Sequence, residues 1–183
     1  SSSGGSSSGG SSDDSSGDSP DSGEAAVSGG YGVTITEIMG VLAGSQAGAY
    51  YYNLIQSVPI DVVPVMLPGN YAGLYIPDWW INVYPETAGT VALNTIYINS
   101  LAQSVWTKEA CATILIHEAL HADYNHNTEK WVIETTERLG VDRSELNWKY
   151  DPVADEMVLD DSIDQEYNAF VQELELWKEI KGA

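Results

Sequence analysis

The chain predicts an α+β domain behind a Ser/Gly/Asp tether, and three observations carry that reading. Residues 1–30 are mostly Ser and Gly with scattered Asp and almost nothing apolar, a composition that cannot build a core. From Tyr31 the apolar content rises, and the first half of residues 31–183 holds several short β-rich runs. The second half holds longer stretches whose apolar residues recur at close to 3.6. Strands followed by helices is an α+β order. The 183 residues therefore divide into a disordered tether, 1–30, and one domain, 31–183, an ordinary size for a single core.

Each element has a local reason. Ile35, Ile38, Met39, Leu42, Ala47, Tyr51, Leu54 and Ile55 have helical spacing, so Val33 to Ser57 reads as helix, broken at Gly44 or Gly48. Ile60 to Leu67 is β-rich, with Pro64 marking an edge or bend, and Pro68-Gly69-Asn70 is a turn. Tyr71–Ile76, Trp80–Tyr84 and Thr95–Asn99 read as further strands. A long apolar helix spans about Ala110 to Asn125, with Thr107 as its N-cap, Glu109 at the positive end of the dipole, and Trp106 stapling against Cys111. Its end falls at Asn125 to Asn127, where Asn tolerates left-handed backbone. Thr128 to Leu139 is helical and stops at Gly140, and Val141 to Asp161 reads as an irregular acidic surface segment. The last helix, Ser162 to about Ile180, opens on a Ser162/Gln165 capping box. It carries an apolar face of Ile163, Phe170, Leu174 and Trp177.

Within the long helix stands His117-Glu118-Ala119-Leu120-His121. Residues four apart on a helix lie one above the other, so both imidazoles can reach a single metal ion, with Glu118 about 100° round the axis. The neighbours Ile114, Leu115, Ile116 and Leu120 are strongly apolar, so a glutamate there needs a partner or an ion. The bland alternative is a solvated helix face that bears the pattern by chance.

The segment resembles the HExxH motif of the zincin metallopeptidases. That resemblance implies a zincin-like fold, with a small mixed or antiparallel sheet packed on the HExxH helix and a C-terminal helix. It implies Zn²⁺ held by His117 and His121, and Glu118 as general base in peptide-bond hydrolysis. It also implies that Thr95–Asn99 lies near the edge where an extended substrate adds as a strand. A transition-state tyrosine belongs to the resemblance as well, with Tyr124, Tyr150 and Tyr167 as unranked candidates.

A third ligand is required, since catalytic zinc normally has three. His126 falls one residue short of the metzincin position, which is Asn127 here, and Tyr124 replaces the expected glycine. A glutamate on a later helix fits better: Glu166-Tyr167-Asn168-Ala169-Phe170 resembles the Glu-x-x-Ala-aromatic stretch of other zincins, the gluzincin-like arrangement. Small Ala169 permits close helix approach. Glu173, Glu134 and Glu137 are the alternatives, and Glu166 also has a simpler reading as an acid near a helix N-terminus.

Composition narrows the partners. Net charge is −20, and the tether holds five acids and no base, so residues 31–183 carry 22 acids against 7 bases, or −15. Nucleic acid and anionic membranes are repelled by such a surface. Cys111 is the only cysteine, which excludes an intramolecular disulfide, and its apolar setting reads as a small core residue. No apolar run is long enough to span a bilayer. The tether points to an extracytoplasmic, secreted or surface-tethered location with an anchor or a larger protein upstream. The six tryptophans and eleven tyrosines read as core and cleft wall. Asp151, Asp155, Glu156, Asp160, Asp161 and Asp164 lack the regular calcium-loop spacing and read as a solvated loop. The expectation is a zinc metallopeptidase acting on a peptide or protein. Its rivals are a specialised toxin or effector module of a larger exported protein and a non-catalytic envelope-binding or adhesion domain.

Overall fold

The computed structural model of the chain describes residues 32–146, 148–151, 156–159 and 162–182. Thr34 opens the first helix, α1 (Ile35–Ala43), with a reciprocal capping box: its hydroxyl accepts from the Glu37 amide, and its own amide donates to the Glu37 carboxylate. The expected break comes at Gly44. Ser45 then caps α2 (Gln46–Ser57), accepting from Gly48 N at 2.9 Å while donating to Leu42 O at 3.0 Å. The corner is tight, because a Cβ on Gly48 would lie 2.7 Å from Leu42 Cα.

The sheet has three strands in the order β1-β3-β2: β1 (Asp61–Val65), β2 (Gly73–Ile76) and β3 (Thr95–Asn99). β3 runs parallel to β1 and antiparallel to β2, in the registers Asp61 with Thr95 and Gly73 with Ile98. β1 is an exposed edge strand, as Pro64 requires, and both faces of β3 are largely buried. Thr95–Asn99 is thus the centre of the sheet and not its edge, which corrects the expected position of an added strand. The free antiparallel edge belongs to β2.

Two further expectations change, and one helix joins them that was not anticipated. Trp80–Val83 forms a short helix, α3, because Trp80 O accepts from Tyr84 N and the chain coils from Pro77 to Thr87 without finding a strand partner. Ser100–Val105 forms α4, capped by the Asn99 side chain, which accepts from Leu101 N at 3.0 Å. Within Val141 to Asp161, Trp148–Asp151 and Glu156–Leu159 pair as an antiparallel hairpin, β4 and β5. Asp155, Asp160 and Asp161 of the acidic loop, the side chains of Tyr150, Asp151, Glu156 and Ser162, and the tether 1–30 lie outside the described residues.

α5 (Lys108–His126) is the central element, and α1, α2, α7 (Ser162–Lys181), β2 and β3 all pack on it. Thr107 caps it as expected, accepting from Ala110 N. Cys111, Ala112, Leu115, Ile116, Ala119, Leu120 and Ala122 are fully buried on several faces, the pattern of a core helix. Burying each Leu or Ile contributes roughly 1.5–3 kcal/mol. Trp106 is 46% exposed, and Cys111 is fully buried. Asn127 ends α5 at φ −126°, outside the left-handed region expected for it. Gly140, at φ 67°, closes α6 (Thr128–Leu139) as expected.

α7 packs through a different face from the one its periodicity indicates. Ala169 and Leu176 are fully buried, whereas Ile163, Phe170, Leu174 and Trp177 are all exposed. The spacing establishes that an apolar stripe exists, but the choice of buried face follows from which side fits α5, and there the small Ala169 allows close approach. Glu179 fastens the far end of α7 by accepting from Gln46 N and Ala47 N at the start of α2. Among the described residues no helix is long and apolar enough to cross a membrane.

Candidate metal centre

His117 and His121 stand one turn apart on α5, with ring centroids 5.0 Å apart, and both face α7. Glu166 bridges them: its Oε2 lies 3.3 Å from His117 Nε2, and its Oε1 lies 3.3 Å from His121 Nε2. One donor atom from each of the three residues falls within 4.8 Å of the other two. Among the described residues this is the one such group of three His, Cys, Asp or Glu side chains. His126, Glu134 and Glu137 are not part of it.

The outer nitrogens are also held. His117 Nδ1 lies 2.5 Å from Glu173 Oε1, and His121 Nδ1 lies 3.3 Å from Gln165 Oε1. An imidazole that donates from Nδ1 presents the Nε2 lone pair, so these α7 side chains turn both free lone pairs toward Glu166. Glu173, an alternative third ligand on sequence grounds, is therefore placed behind His117 instead. Neither Gln165 nor Glu173 is recognisable in this role from the sequence alone. The only signal is the antiparallel match of a four-residue interval on one helix to an eight-residue interval on another.

Glu118 faces a different neighbour. Its Oε2 accepts from the main-chain N–H of Tyr75 at 2.9 Å, on the side of β2 that does not pair with β3. Gly73 makes this approach possible: a Cβ there would lie 2.7 Å from Ile114 Cγ2, 2.8 Å from Glu118 Cγ and 2.9 Å from Glu118 Oε1. Only 9% of Glu118 is exposed, and burial pushes its carboxyl up to about 7 against the opposing pull of His117 and the Tyr75 amide; Glu166 and Glu173 add to the rise. Burial draws His117 down, but the Glu173 hydrogen bond and the charges of Glu118, Glu173 and Glu166 outweigh it and leave it raised. His121 is lowered by burial and then by neighbouring His117.

The tyrosine candidates separate. Tyr124 is buried, stacks on Trp131, and accepts from Asn168 Nδ2 at 2.7 Å. Tyr167 is 59% exposed beside Glu166. His126, one residue short of the metzincin position, joins a polar cluster away from the two histidines: its Nε2 lies 2.7 Å from Asn94 Oδ1 and 3.3 Å from the Tyr75 hydroxyl.

Asp123, two residues past His121, is a second feature not anticipated. It is fully buried and accepts from Tyr50 OH, Asn127 Nδ2, Lys130 Nζ and Trp131 Nε1, all between 2.6 and 3.0 Å. A buried carboxylate needs this degree of satisfaction, and here it ties the end of α5 to α2 and α6. Cys111 is buried with its thiol raised by burial, as a core residue should be. The chain matches no family model, no curated protein and no solved structure.

Proposed function

We propose that the chain is a zinc-dependent peptidase of zincin-like, gluzincin-like architecture, acting on a peptide or protein outside the cytoplasm. One observation carries the reading: His117 Nε2 and His121 Nε2 converge on the Glu166 carboxylate, with both outer nitrogens occupied, beside the buried Glu118. Two imidazole nitrogens and one carboxylate oxygen are the donor set of a catalytic zinc site, and the surplus of carboxylates around His117 attracts a dication. The residues fit the ion. When bound, Zn²⁺ would lower the pKa of water to about 7 and polarise a carbonyl.

The protein's own groups supply the rest. His117, His121 and Glu166 hold the ion, and Glu173 and Gln165 fix the two rings. Glu118, with its carboxyl raised toward neutrality, takes a proton from the attacking water and returns it to the leaving amine. β2 is the antiparallel edge of the sheet next to Glu118; the Tyr75 N–H on that edge already donates to Glu118, and an extended peptide would align on the other outward main-chain groups.

The direct test is Glu118→Gln. It should keep zinc at the parental level and lose peptidase activity by roughly 10²–10⁴-fold, the usual contribution of a general base. Full activity in the zinc-loaded variant would rule out this role for Glu118.

A further inference from the structure

Five large apolar side chains stand exposed along α7: Ile163 83%, Tyr167 59%, Phe170 61%, Leu174 51% and Trp177 38%. Their intervals of four, three, four and three place them on one line down the helix. α7 already satisfies its own packing through the opposite side, with Ala169 and Leu176. At about 100° per residue, Glu166 and Glu173 fall between that buried side and the stripe. Phe170 makes the connection physical, packing edge-on against His117 with centroids 5.5 Å apart. The stripe therefore borders the three-residue cluster along its length.

We propose that this stripe docks the substrate, and that the substrate is a polypeptide segment mixing apolar with basic residues. This rests on the hydrolytic reading only for the word substrate; the docking itself stands on the stripe. A contiguous apolar row of this kind, rimmed by polar groups, marks an interaction surface.

Charge selects the occupant. Lys130, Arg138, Arg143 and Lys178 are each already paired with an acid, so 22 acids against 7 bases leave the domain with a largely uncompensated negative field. A second copy of the chain brings the same −15 to the interface and is repelled. The chain's own residues 1–30 are acidic and offer almost no apolar side chain to cover the row. An anionic membrane is excluded on the same grounds as a second copy. A cationic, apolar peptide satisfies both the stripe and the field.

The experiment is calorimetric titration of the full chain carrying Glu118→Gln, so that binding is read without turnover. The probe is a synthetic peptide of about 20 residues built from Leu, Ala and Lys, set against the same peptide with Glu for Lys. The Lys peptide should bind, lose at least about tenfold in affinity in Ile163→Ser/Leu174→Ser, and weaken as salt rises; the Glu peptide should not bind. Both replaced residues are exposed, and an unchanged circular dichroism spectrum confirms that the double variant folds. Equal binding of the two peptides, or of the Lys peptide to parent and double variant, overturns the proposal. So does stripe-dependent dimerisation by sedimentation, or stripe-dependent uptake on phosphatidylcholine vesicles. If the zinc-loaded parent binds the Lys peptide through the stripe yet leaves it uncut, the hydrolytic reading fails while the docking surface stands.

Discussion

Glu173 and Gly73 are the residues through which the site can be probed without touching a proposed ligand. Glu173 holds His117 Nδ1, so Glu173→Gln removes the charge that orients the ring while keeping an acceptor, and Glu173→Ala removes both. The expected loss of zinc affinity is about 10–100-fold for Glu173→Ala and less for Glu173→Gln, measured by competition with a chelator. Equal affinity in all three proteins would show that the Glu173 contact has no bearing on the metal. Gly73→Ala drives a methyl into Glu118 and Ile114. Peptidase activity should fall by more than the change in thermal midpoint accounts for, with zinc content preserved, because the displaced group is the proposed base and not a proposed ligand. At this scale the motif and Glu166 are legible in the sequence, but not the partners behind them. His117, Glu118 and His121 can be read because one helix sets their spacing. Glu173, Gln165 and Gly73 act only through the docking of α7 and β2 on α5, and no local pattern encodes that docking.

Among the elements, α5 governs both stability and site, and the Asp123 cluster is where its far end is anchored. Asp123→Ala would strand the buried Trp131 indole N–H and remove the partner of Lys130. A loss of about 2–4 kcal/mol in urea unfolding is expected, the range for breaking a buried hydrogen-bonded charge. A value near zero would mean that water replaces the carboxylate. Lys130 is drawn down by burial but raised overall by its hydrogen bonds to Asp123 and Tyr50. A lysine raised in the folded state contributes stability that is fully present below its unfolded value and is lost as pH climbs through the folded one. The stability gap between parent and Lys130→Met should therefore hold at neutral pH and shrink only above about pH 10. A gap that persists unchanged at pH values well above that would be incompatible with the pairing. The helices α1, α2 and α7 are readable in the sequence from the spacing of their apolar residues, and α5 and α6 also from Thr107 and Gly140, which punctuate apolar runs; the caps Thr34 and Ser45 emerge only in the structure. Trp80–Val83 misleads because bulky aromatic residues favour strands on average, and here no neighbouring strand pairs with them. The central position of Thr95–Asn99 is hidden because parallel pairing with β1 is a long-range choice. The outward stripe of α7 misleads in the opposite sense: periodicity reports amphipathicity, not which face a neighbour takes.

For the whole molecule, an acid-rich domain brings together one central helix, a free sheet edge and a last helix that holds a carboxylate over two histidines. The same negative charge that would repel nucleic acid and anionic membranes would favour the proposed dication and the proposed basic polypeptide at one site. Everything proposed for the chemistry depends on that dication. The deciding experiment is zinc per chain by elemental analysis on the parent, His117→Ala and Glu166→Ala, purified without chelator and supplemented with zinc. Close to one zinc is expected in the parent, with loss in both variants. A folded parent that takes up no zinc, or a Glu166→Ala protein that retains it fully, would refute the three-ligand site.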